Sequence, residues 1–182
     1  YRDALYEWEA PFVQKSILLT KTINRYAGII WGNDFNAIIY DRWWNSRNSK
    51  TYIFSPSKPN IPARVIVDRN YQDRYSDPGD FVTRKGKYGE NILALDGNNA
   101  FLLGDGFSEK GQFPFLDQIN LKSNKKNRTY QSTYTDKFEQ LYDYDINEKK
   151  LSIRIESKNE YPNYFTRSID KKNTLKQQTF FE

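Results

Sequence analysis

The clearest strand pattern of the chain lies at residues 26–54, YAGIIW-GND-FNAIIYDRWW-NSRNSK-TYIF, where three apolar or aromatic runs are separated by two polar turns. In the second run Phe35, Ala37 and Ile39 fall on alternate positions, as in a half-buried strand. A fourth run, ARVIV, follows a segment with three prolines, which exclude a helix there. Four such runs joined by short turns predict an up-and-down antiparallel sheet.

Two more groups of strand signals follow, and the chain therefore contains a repeat of pattern. Apolar segments at 52–54, 115–116 and 164–165 recur about 50 to 60 residues apart, each in the third strand of its group. Four-stranded units at this interval are typical of β-propeller blades, and a β-sandwich is the alternative. We predict an all-β fold, a partial β-propeller of about three to four blades of four-stranded antiparallel sheet. The strands of the later groups are predicted at 91–95, 100–103, 113–121 and 127–131, and at 140–144, 151–156 and 164–169.

The predicted domain organisation is a fragment of one propeller. Its blades are placed at approximately 26–68, 80–132 and 137–170, and residues 1–25 are interpreted as the remnant of a preceding blade. The polar stretch 171–182 is expected to fray. Because three blades leave two open sheet edges, which tend to pair with other chains, we expect self-association or a larger parent protein.

The composition limits the chemistry of this 182-residue chain. It contains 28 Lys and Arg against 23 Asp and Glu, a net charge of +5. This excess is small and dispersed, which argues against nucleic-acid binding. Cysteine and histidine are both absent, so disulfides, zinc-thiolate sites and a Ser-His-Asp unit cannot form within the chain. We predict no catalytic residue, no metal site and no cofactor, leave the substrate-binding residues unassigned, and find no apolar run of the roughly 18 residues that span a bilayer.

Several short stretches share a recognisable order and spacing. They are 2–6 (RDALY), 10–12 (APF), 25–32 (RYAGIIWG), 41–44 (DRWW), 67–79 (VDRNYQDRYSDPG), 114–117 (PFLD) and 160–164 (EYPNY). Together they resemble the N-terminal non-catalytic region of prolyl-oligopeptidase-family serine peptidases. The glutamyl-endopeptidase type, also called dipeptidyl aminopeptidase or acylaminoacyl peptidase, looks most similar. The stretch 73–79, DRYSDPG, is the most specific part.

The resemblance implies a β-propeller that caps a C-terminal α/β-hydrolase domain of the same polypeptide. That domain would carry a G-x-S-x-G nucleophile motif followed by Asp and His. The propeller would admit peptide substrates and exclude folded proteins. This chain has neither G-x-S-x-G nor histidine, so no catalytic residue is carried over and the chain alone should be inactive. By resemblance we expect a periplasmic or secreted bacterial location.

Two other classes of function stay open. The high aromatic content, 14 Tyr, 12 Phe and 4 Trp, and the lack of catalytic residues fit a free-standing β-rich module that binds glycans or peptides. A structural domain that assembles through its open edges is the third hypothesis.

Six groups of residues have both a functional and a structural interpretation. Trp43 and Trp44 could form an aromatic platform, but neighbouring strand residues face opposite ways. Four arginines could bind a substrate carboxylate through paired hydrogen bonds. Each is more simply interpreted as a solvent-exposed residue at the end of a strand. These arginines are Arg42, Arg47, Arg64 and Arg69.

The remaining groups are more simply structural. Asp73, Asp77 and Asp80 could bind a hard cation, but nearby arginines favour salt bridges and Asx turns. The loop 104–111 is glycine-rich, yet a strand and not a helix follows it, so we predict a turn and no phosphate site. The segment 122–128 is basic and predicted to be a solvated hairpin turn. The triplet Asn127-Arg128-Thr129 overlaps the end of this segment. It would be an acceptor for N-glycosylation only in a eukaryotic secretory setting.

Overall fold

The computed structural model describes residues 1–170 and 173–182, and within them every regular element is a β-strand. The strands are β1 (Asp3–Glu7), β2 (Ile17–Thr22), β3 (Arg25–Asn33), β4 (Asn36–Trp43), β5 (Asn48–Phe54), β6 (Arg64–Asn70), β7 (Asp80–Phe81), β8 (Thr83–Lys85), β9 (Asn91–Leu93), β10 (Asn99–Gly104), β11 (Phe107–Ser108), β12 (Gly111–Gln112), β13 (Phe115–Asn120), β14 (Lys126–Gln131), β15 (Phe138–Asp145), β16 (Lys150–Ser157), β17 (Glu160–Ser168) and β18 (Leu175–Gln177).

Three four-stranded antiparallel sheets dominate the structure. Their strand orders are β3-β4-β5-β6, β7-β10-β13-β14 and β15-β16-β17-β18. This is the strand order of propeller blades, so the predicted all-β fold class with four-stranded antiparallel blades is confirmed. The first and third sheets pair consecutive strands, whereas in the second the two-stranded β8-β9 and β11-β12 pairs are inserted between neighbouring strands. The three segments that recur in the sequence lie in β5, β13 and β17, the third strand of each sheet. The predicted blade boundaries, 26–68, 80–132 and 137–170, stay a prediction, as does the remnant at 1–25.

The chain forms two compact units, and the first comprises Tyr1–Asp73 and Arg84–Leu93. One apolar cluster packs Leu19 of β2 against Ala37, Ile39, Tyr52 and Phe54 of the first four-stranded sheet. The alternation seen in the sequence reveals only one face of β4. Ile38, which points to the opposite face, is also fully buried, because β4 is a central strand covered on both sides.

The second unit comprises Arg74–Thr83 and Ala94–Glu182. Its core joins two four-stranded sheets, since Phe101 and Leu116 of one sheet are clustered with Tyr144, Leu151 and Ile153 of the other. The rings of Phe101 and Tyr144 lie 5.0 Å apart. Leu151, Ile153 and Ile155 alternate along β16, as the sequence pattern LSIRIE predicts.

One strand assignment is wrong. The run NILAL, predicted as the first strand of the second group, supplies β9, which among the described strands pairs with β8 and not with the four-stranded sheet. The first strand of the sheet is instead the two-residue β7, whose Phe81 pairs with Leu102. Gly79 makes this pairing possible. Its φ is +85°, and a Cβ there would lie 2.2 Å from the carbonyl oxygen of Leu103, so only glycine lets the backbones approach.

Two other segments differ from expectation. The stretch 171–182 was expected to fray, but its residues 175–177 form β18 and pair with Phe165–Arg167 of β17; residues 171 and 172 lie outside the described residues. The glycine-rich loop holds a small hairpin, β11-β12. The basic segment 122–128 does lie at the β13–β14 turn and the start of β14, and all seven of its residues are exposed, as predicted.

Candidate functional site

The turn between β4 and β5 carries the candidate functional site of the first unit. Arg47 has left-handed backbone (φ +57°), and its N–H donates to the carbonyl oxygen of Trp44 (3.3 Å). The carbonyl oxygen of Arg47 accepts from the N–H of Tyr71 (2.8 Å), just beyond β6. These two backbone bonds hold Trp44, Arg47 and Tyr71 together at one end of the sheet.

Three guanidinium groups near this turn stack on aromatic rings. The guanidinium carbon of Arg47 lies 3.9 Å from the centre of the Trp44 ring, and that of Arg42 lies 4.6 Å from the centre of the Tyr71 ring. Arg47 Nη1 also donates to the Tyr71 hydroxyl (3.3 Å), so both arginines share this tyrosine. Arg2 stacks in the same way on the neighbouring tryptophan, 3.6 Å from its ring centre. We call the set gathered around Tyr71 the arginine–aromatic surface: Arg42, Trp44, Arg47 and Tyr71. The Arg2–Trp43 pair projects from the opposite face of the sheet, because Trp43 follows Arg42 directly in β4.

The register of the sheet places further arginines beside Arg42. Arg25 of β3 is directly opposite Arg42, Arg42 is opposite Ser49 of β5, and Ser49 is opposite Arg69 of β6. Directly opposed residues project from the same face of a sheet. Three of the four strands therefore contribute an arginine to one line across the sheet, which we call the arginine row.

The charges of the arginine row are neutralised unevenly. Arg25 forms an ion pair with Asp3 (2.7 Å), and Arg69 Nη1 donates to the carbonyl oxygen of Asp73 (2.6 Å). Arg42, by contrast, has no ion pair within residues 1–170 and 173–182, and the same holds for Arg47 of the arginine–aromatic surface and for Arg2 on the opposite face. Although Arg25 and Arg42 are opposed in backbone register, their guanidinium groups have different partners: that of Arg25 meets Asp3 and that of Arg42 lies over the ring of Tyr71.

Asp3 is the acidic residue beside this region. The backbone N–H of Tyr26 (2.7 Å) and the guanidinium of Arg25 lower the pKa of its carboxyl from the ordinary 3.8. The carboxylate is therefore charged at neutral pH and is already engaged by β3. It compensates Arg25 and leaves Arg42 and Arg47 without a counter-charge.

Guanidinium groups in this arrangement can bind an anion. A guanidinium stacked on a ring keeps its edge N–H donors, and the planar fork of donors matches a carboxylate or phosphate in two parallel hydrogen bonds. The rings also limit the rotamers of the arginines, which reduces the entropy lost when a ligand binds. The four residues of the surface include no group that could act as a general base at neutral pH, so the surface can bind a ligand but offers no acid–base catalysis.

The structure thus brings together some of the arginines suggested by the sequence and not others. Arg42 and Arg47 share Tyr71, and Arg69 lies in the arginine row. Arg64 is at the opposite end of β6, paired in register with Ile53. Three residues were not expected at the site, and their only sequence signal was a place within the stretches 2–6, 25–32 and 67–79 of the resemblance. They are Arg2, Arg25 and Tyr71.

The tryptophan pair does not form one flat platform. Trp43 ends β4, is partly buried and stacks on Arg2, whereas Trp44 belongs to the turn and is 69% exposed. This agrees with the expectation that the two neighbours face different ways. Each ring is covered by one arginine guanidinium. A sugar therefore cannot stack across both rings, and the exposed guanidinium donors favour an anionic ligand.

The three aspartates suggested as cation ligands have structural roles. The side chain of Asp77 accepts from the N–H of Gly79 (3.0 Å), an Asx turn. Asp73 and Asp80 each have other polar partners, and Asp73 lies in the first unit while Asp77 and Asp80 lie in the second. In the described residues no cluster of three acidic side chains has the geometry of a metal site.

The second unit contains an acidic cleft of about 230 Å³. Its exposed polar lining includes Asp80, Asp105 and Asp143, together with Tyr142, and its floor includes the buried Phe81. Such a cleft would attract cationic groups. No hydrogen bond between described residues orients the three carboxylates toward a common point, so the cleft is a weaker candidate than the arginine–aromatic surface.

Two fully buried carboxylates lie outside both regions and act in the fold. Asp41 accepts hydrogen bonds from two backbone N–H groups and from the Tyr52 hydroxyl. Glu139 accepts from the Tyr130 hydroxyl through both of its oxygens (2.9 and 2.8 Å). Burial and these bonds to carboxylates raise the pKa of Tyr52 and that of Tyr130 above the ordinary value of 10.0.

Alkaline titration should therefore show tyrosines that resist ionisation in the native chain. Because the pKa of Tyr52 and Tyr130 is raised on folding, their contribution to stability is complete below pH 10.0 and is lost only as the pH rises further. Absorbance at 295 nm should report fewer ionised tyrosines in the native chain than in denaturant at the same pH. Tyr52→Phe and Tyr130→Phe should each remove one resistant group, and equal native and denatured titration curves would contradict the expectation.

Similarity to known proteins covers most of the chain. A probable glutamyl endopeptidase of the chloroplast from Arabidopsis thaliana is 30% identical over 163 residues, 85% of this chain and 17% of that protein. A protein described in the same words from Oryza sativa subsp. japonica is 33% identical over 138 residues, 72% of this chain and 15% of that protein. No family model matches the chain.

The chain spans only about one sixth of the length of these curated relatives. Among solved structures, the crystal structure of TolB from Acinetobacter baumannii aligns with 97% of this chain and 37% of its own, with a TM-score of 0.47 and 12% identity. The resemblance to glutamyl-endopeptidase-type proteins seen in the sequence is confirmed. No helix in the described residues is long and apolar enough to cross a membrane.

Proposed function

We propose that the chain is the non-catalytic, propeller-type region of a longer serine peptidase, where it shapes the access of peptides to a separate α/β-hydrolase domain. The observation that carries this proposal is the similarity to two plant glutamyl endopeptidases along most of the chain. The all-β architecture of four-stranded antiparallel sheets supports it. The prolyl-oligopeptidase family, including its dipeptidyl aminopeptidase type, is the assignment that we propose for the parent.

The chemistry of the parent would lie outside this chain. A serine peptidase needs a serine nucleophile, a histidine that takes its proton and an aspartate that orients the histidine. The chain has no histidine, so the base must come from another segment. The partner of the chain is then the hydrolase domain of the same polypeptide, and peptides are its substrates.

The role of the chain in that enzyme is selection by size and charge. Sheets with buried apolar faces form a rigid wall, and a rigid wall around a catalytic domain admits flexible peptides while it excludes folded proteins. Arg42 and Arg47, which have no ion pair among the described residues, would favour peptides that carry negative charge. A periplasmic or secreted location belongs to the same proposal and rests on the sequence resemblance alone.

A hydrolysis assay tests the proposal. The complete polypeptide that contains the chain should hydrolyse short fluorogenic peptides, and a serine-directed phosphonate should abolish this activity. It should not cleave the same peptide sequence inserted into a loop of a folded reporter until that reporter is unfolded. The 182-residue chain alone should be inactive toward both substrates.

Two results would overturn the proposal. Hydrolysis by the isolated chain would contradict it, because no histidine is present to act as the base. Equal cleavage of the folded and unfolded reporters by the complete polypeptide would contradict the selection by size, and it would leave the peptidase assignment standing.

A further inference from the structure

We propose that a cavity of about 620 Å³ in the second unit binds short, neutral glycans whose ring hydroxyls are equatorial. The cavity lies between the segment that precedes β15, the turn between β16 and β17, and the residues that follow β18. We call it the β17 cavity, and its lining includes Tyr134, Lys137, Glu160, Tyr161, Phe165 and Gln177. The inference does not depend on the proposed peptidase function, because it concerns a ligand that peptide hydrolysis would not use.

The size of the β17 cavity suits a small ligand. Its volume lies within the range of about 300 to 1,000 Å³ that is usual for such sites, and it accommodates about one or two sugar rings. The acidic cleft of the same unit, at about 230 Å³, is smaller. Because Tyr161 in the lining is 64% exposed, a ligand can reach the cavity from solvent.

Side-chain contacts hold the walls of the β17 cavity in place. On one side, Asn163 Oδ1 accepts from the backbone N–H of Phe181 (2.8 Å) and from the Thr179 hydroxyl (3.0 Å). On the other side, the Lys137 ammonium donates to both carboxylate oxygens of Glu160 (2.7 Å each). The cavity is therefore formed before a ligand arrives, which reduces the entropy lost on binding.

The lining combines aromatic rings with side-chain amides. Its rings are those of Tyr134, Tyr161, Phe165 and Phe181. Gln177 Nε2 donates to the carbonyl oxygen of Thr179 (2.7 Å), and among the described residues Gln177 Oε1 has no hydrogen-bond partner. A wholly apolar ligand would leave such polar atoms unsatisfied. A sugar has a C–H face that packs on a ring and hydroxyls at its edge that bond to amides.

The charges of the lining favour a neutral ligand. Lys137 and Glu160 neutralise each other, and Glu182, which also lines the cavity, is exposed to water. A charged ligand would have to break the Lys137–Glu160 contact or compete with water for Glu182. A sugar leaves the ion pair intact, and its hydroxyls can add hydrogen bonds to the charged groups, which are stronger than those between neutral groups.

The aromatic lining also selects the configuration of the sugar. A pyranose whose hydroxyls are all equatorial presents only C–H groups on both faces of its ring. An axial hydroxyl interrupts one of these faces and weakens its packing on an aromatic ring. β-Linked glucose has the equatorial arrangement, so cellobiose is the suitable probe.

Titration of the 182-residue chain with cellobiose tests this inference, with calorimetry and saturation-transfer NMR as readouts. Cellobiose should bind with a dissociation constant of about 1 mM or lower. Sorbitol, an open-chain polyol with hydroxyls but no ring face, should not bind. Raising the salt concentration from about 0.05 to 0.5 M should change the affinity less than about twofold, because the ligand carries no charge. The complete polypeptide should bind cellobiose with the same affinity.

Substitutions locate the binding site. Tyr161→Ala should weaken cellobiose binding at least about fivefold, since a stacking ring is lost. The matched control Tyr75→Ala removes a tyrosine of the same unit that is also 64% exposed and lies outside the cavity, so affinity should change less than about twofold. Gln177→Leu should also weaken binding. Gln178→Leu should not, because the Gln178 amide donates to Thr166 (3.0 Å) on the opposite face of the sheet. Circular dichroism confirms that each variant is folded.

Several results would overturn the inference. They are no binding of cellobiose, equal binding of sorbitol, loss of affinity at high salt, and equal weakening by Tyr161→Ala and Tyr75→Ala. Loss of binding in the complete polypeptide would also contradict it, because the rest of the polypeptide would then occupy the cavity. Tighter binding of acetyl-phenylalanine amide than of cellobiose, abolished by Tyr161→Ala, would show that the cavity accepts an aromatic side chain instead.

Discussion

Replacement of Asp41 by alanine is expected to lower the free energy of unfolding by about 4 kcal/mol or more, because four donors lose their acceptor. The residue is 1% exposed. Its Oδ2 accepts from the backbone N–H of Asn24 (2.8 Å) and from the Tyr52 hydroxyl (2.5 Å). Its Oδ1 accepts from the Asn24 side-chain amide (3.0 Å) and from the backbone N–H of Lys50 (3.0 Å). Alanine would leave these donors in the interior without an acceptor, and the cost of each is about 1 to 3 kcal/mol.

Chemical denaturation of the wild type and of matched variants measures this effect. Asp68→Ala is the control, because Asp68 is 53% exposed at its side chain and pairs with Lys50 in the same sheet. The Asp68 carboxylate faces solvent, whereas the side chain of its partner Lys50 is only 14% exposed, so the loss for Asp68→Ala should be about 1 to 2 kcal/mol, smaller than for Asp41→Ala. The loss of unfolding free energy for Asp41→Asn should lie between those of the two alanine variants, since the amide keeps one acceptor oxygen and the shape of the side chain. Equal losses for Asp41→Ala and Asp68→Ala would show that the buried hydrogen bonds do not stabilise the sheet as described.

Glu139→Ala is expected to have a similar effect in the second unit, about 3 to 5 kcal/mol. The side chain of Glu139 is 0% exposed and accepts the Tyr130 hydroxyl. It is also 3.9 Å from the guanidinium of Arg167, whose side chain is only 11% exposed. Within the described residues Arg167 Nε has no hydrogen-bond partner. Loss of the carboxylate would leave this buried positive charge without its counter-ion, which is strongly unfavourable.

A double substitution separates charge from packing at this position. Glu139→Gln with Arg167→Met removes both charges, so it should be less harmful than Glu139→Ala alone. Glu148→Ala, which breaks the exposed pair with Lys150, is the surface control and should change stability by less than about 1 kcal/mol. If Glu139→Ala were no more harmful than Glu148→Ala, the Glu139–Arg167 contact would not have the role assigned to it.

The fold could be predicted from the sequence because its sheets depend on local patterns. The recurrence of 52–54, 115–116 and 164–165 identified the third strand of each sheet. The pattern failed where a strand is too short to show a period. β7 has only two residues, and it pairs with β10 because Gly79 permits a close backbone approach. The longer run NILAL resembled a strand of the sheet and instead formed β9.

The candidate site could be predicted only in part. Arg42, Arg47 and the tryptophan pair stood out as residue types suited to anion recognition. Their assembly depends on the register between strands, which places Arg25 opposite Arg42 and the end of β6 beside the β4–β5 turn. Register is fixed by bulges, such as the one between Tyr26 and Gly28, and no periodicity in the sequence revealed them. The role of Arg2 could not be predicted either, because its contact with the ring of Trp43 joins distant segments.

The buried carboxylates also could not be recognised in advance. Asp41 continues the alternation of Ala37 and Ile39, but a charged residue at the end of a run does not by itself indicate burial, and Glu139 lies just before the predicted strand 140–144. Only the structure shows that backbone N–H groups or a tyrosine hydroxyl surround these carboxylates. Their pairing explains how an all-β chain with many polar strand residues buries negative charge among hydrogen-bond donors. The same pairing makes them the most sensitive positions for substitution.

The extent of the native reading frame around this chain tests the central claim most directly. We predict that the frame continues for several hundred residues beyond residue 182 and encodes G-x-S-x-G, followed by an aspartate and then a histidine. A fluorophosphonate probe should then label that serine in the complete polypeptide and no residue of 1–182. A frame without these residues would contradict the peptidase account, and the chain would then be a binding module whose first residues for mutation are Arg42, Arg47 and Trp44.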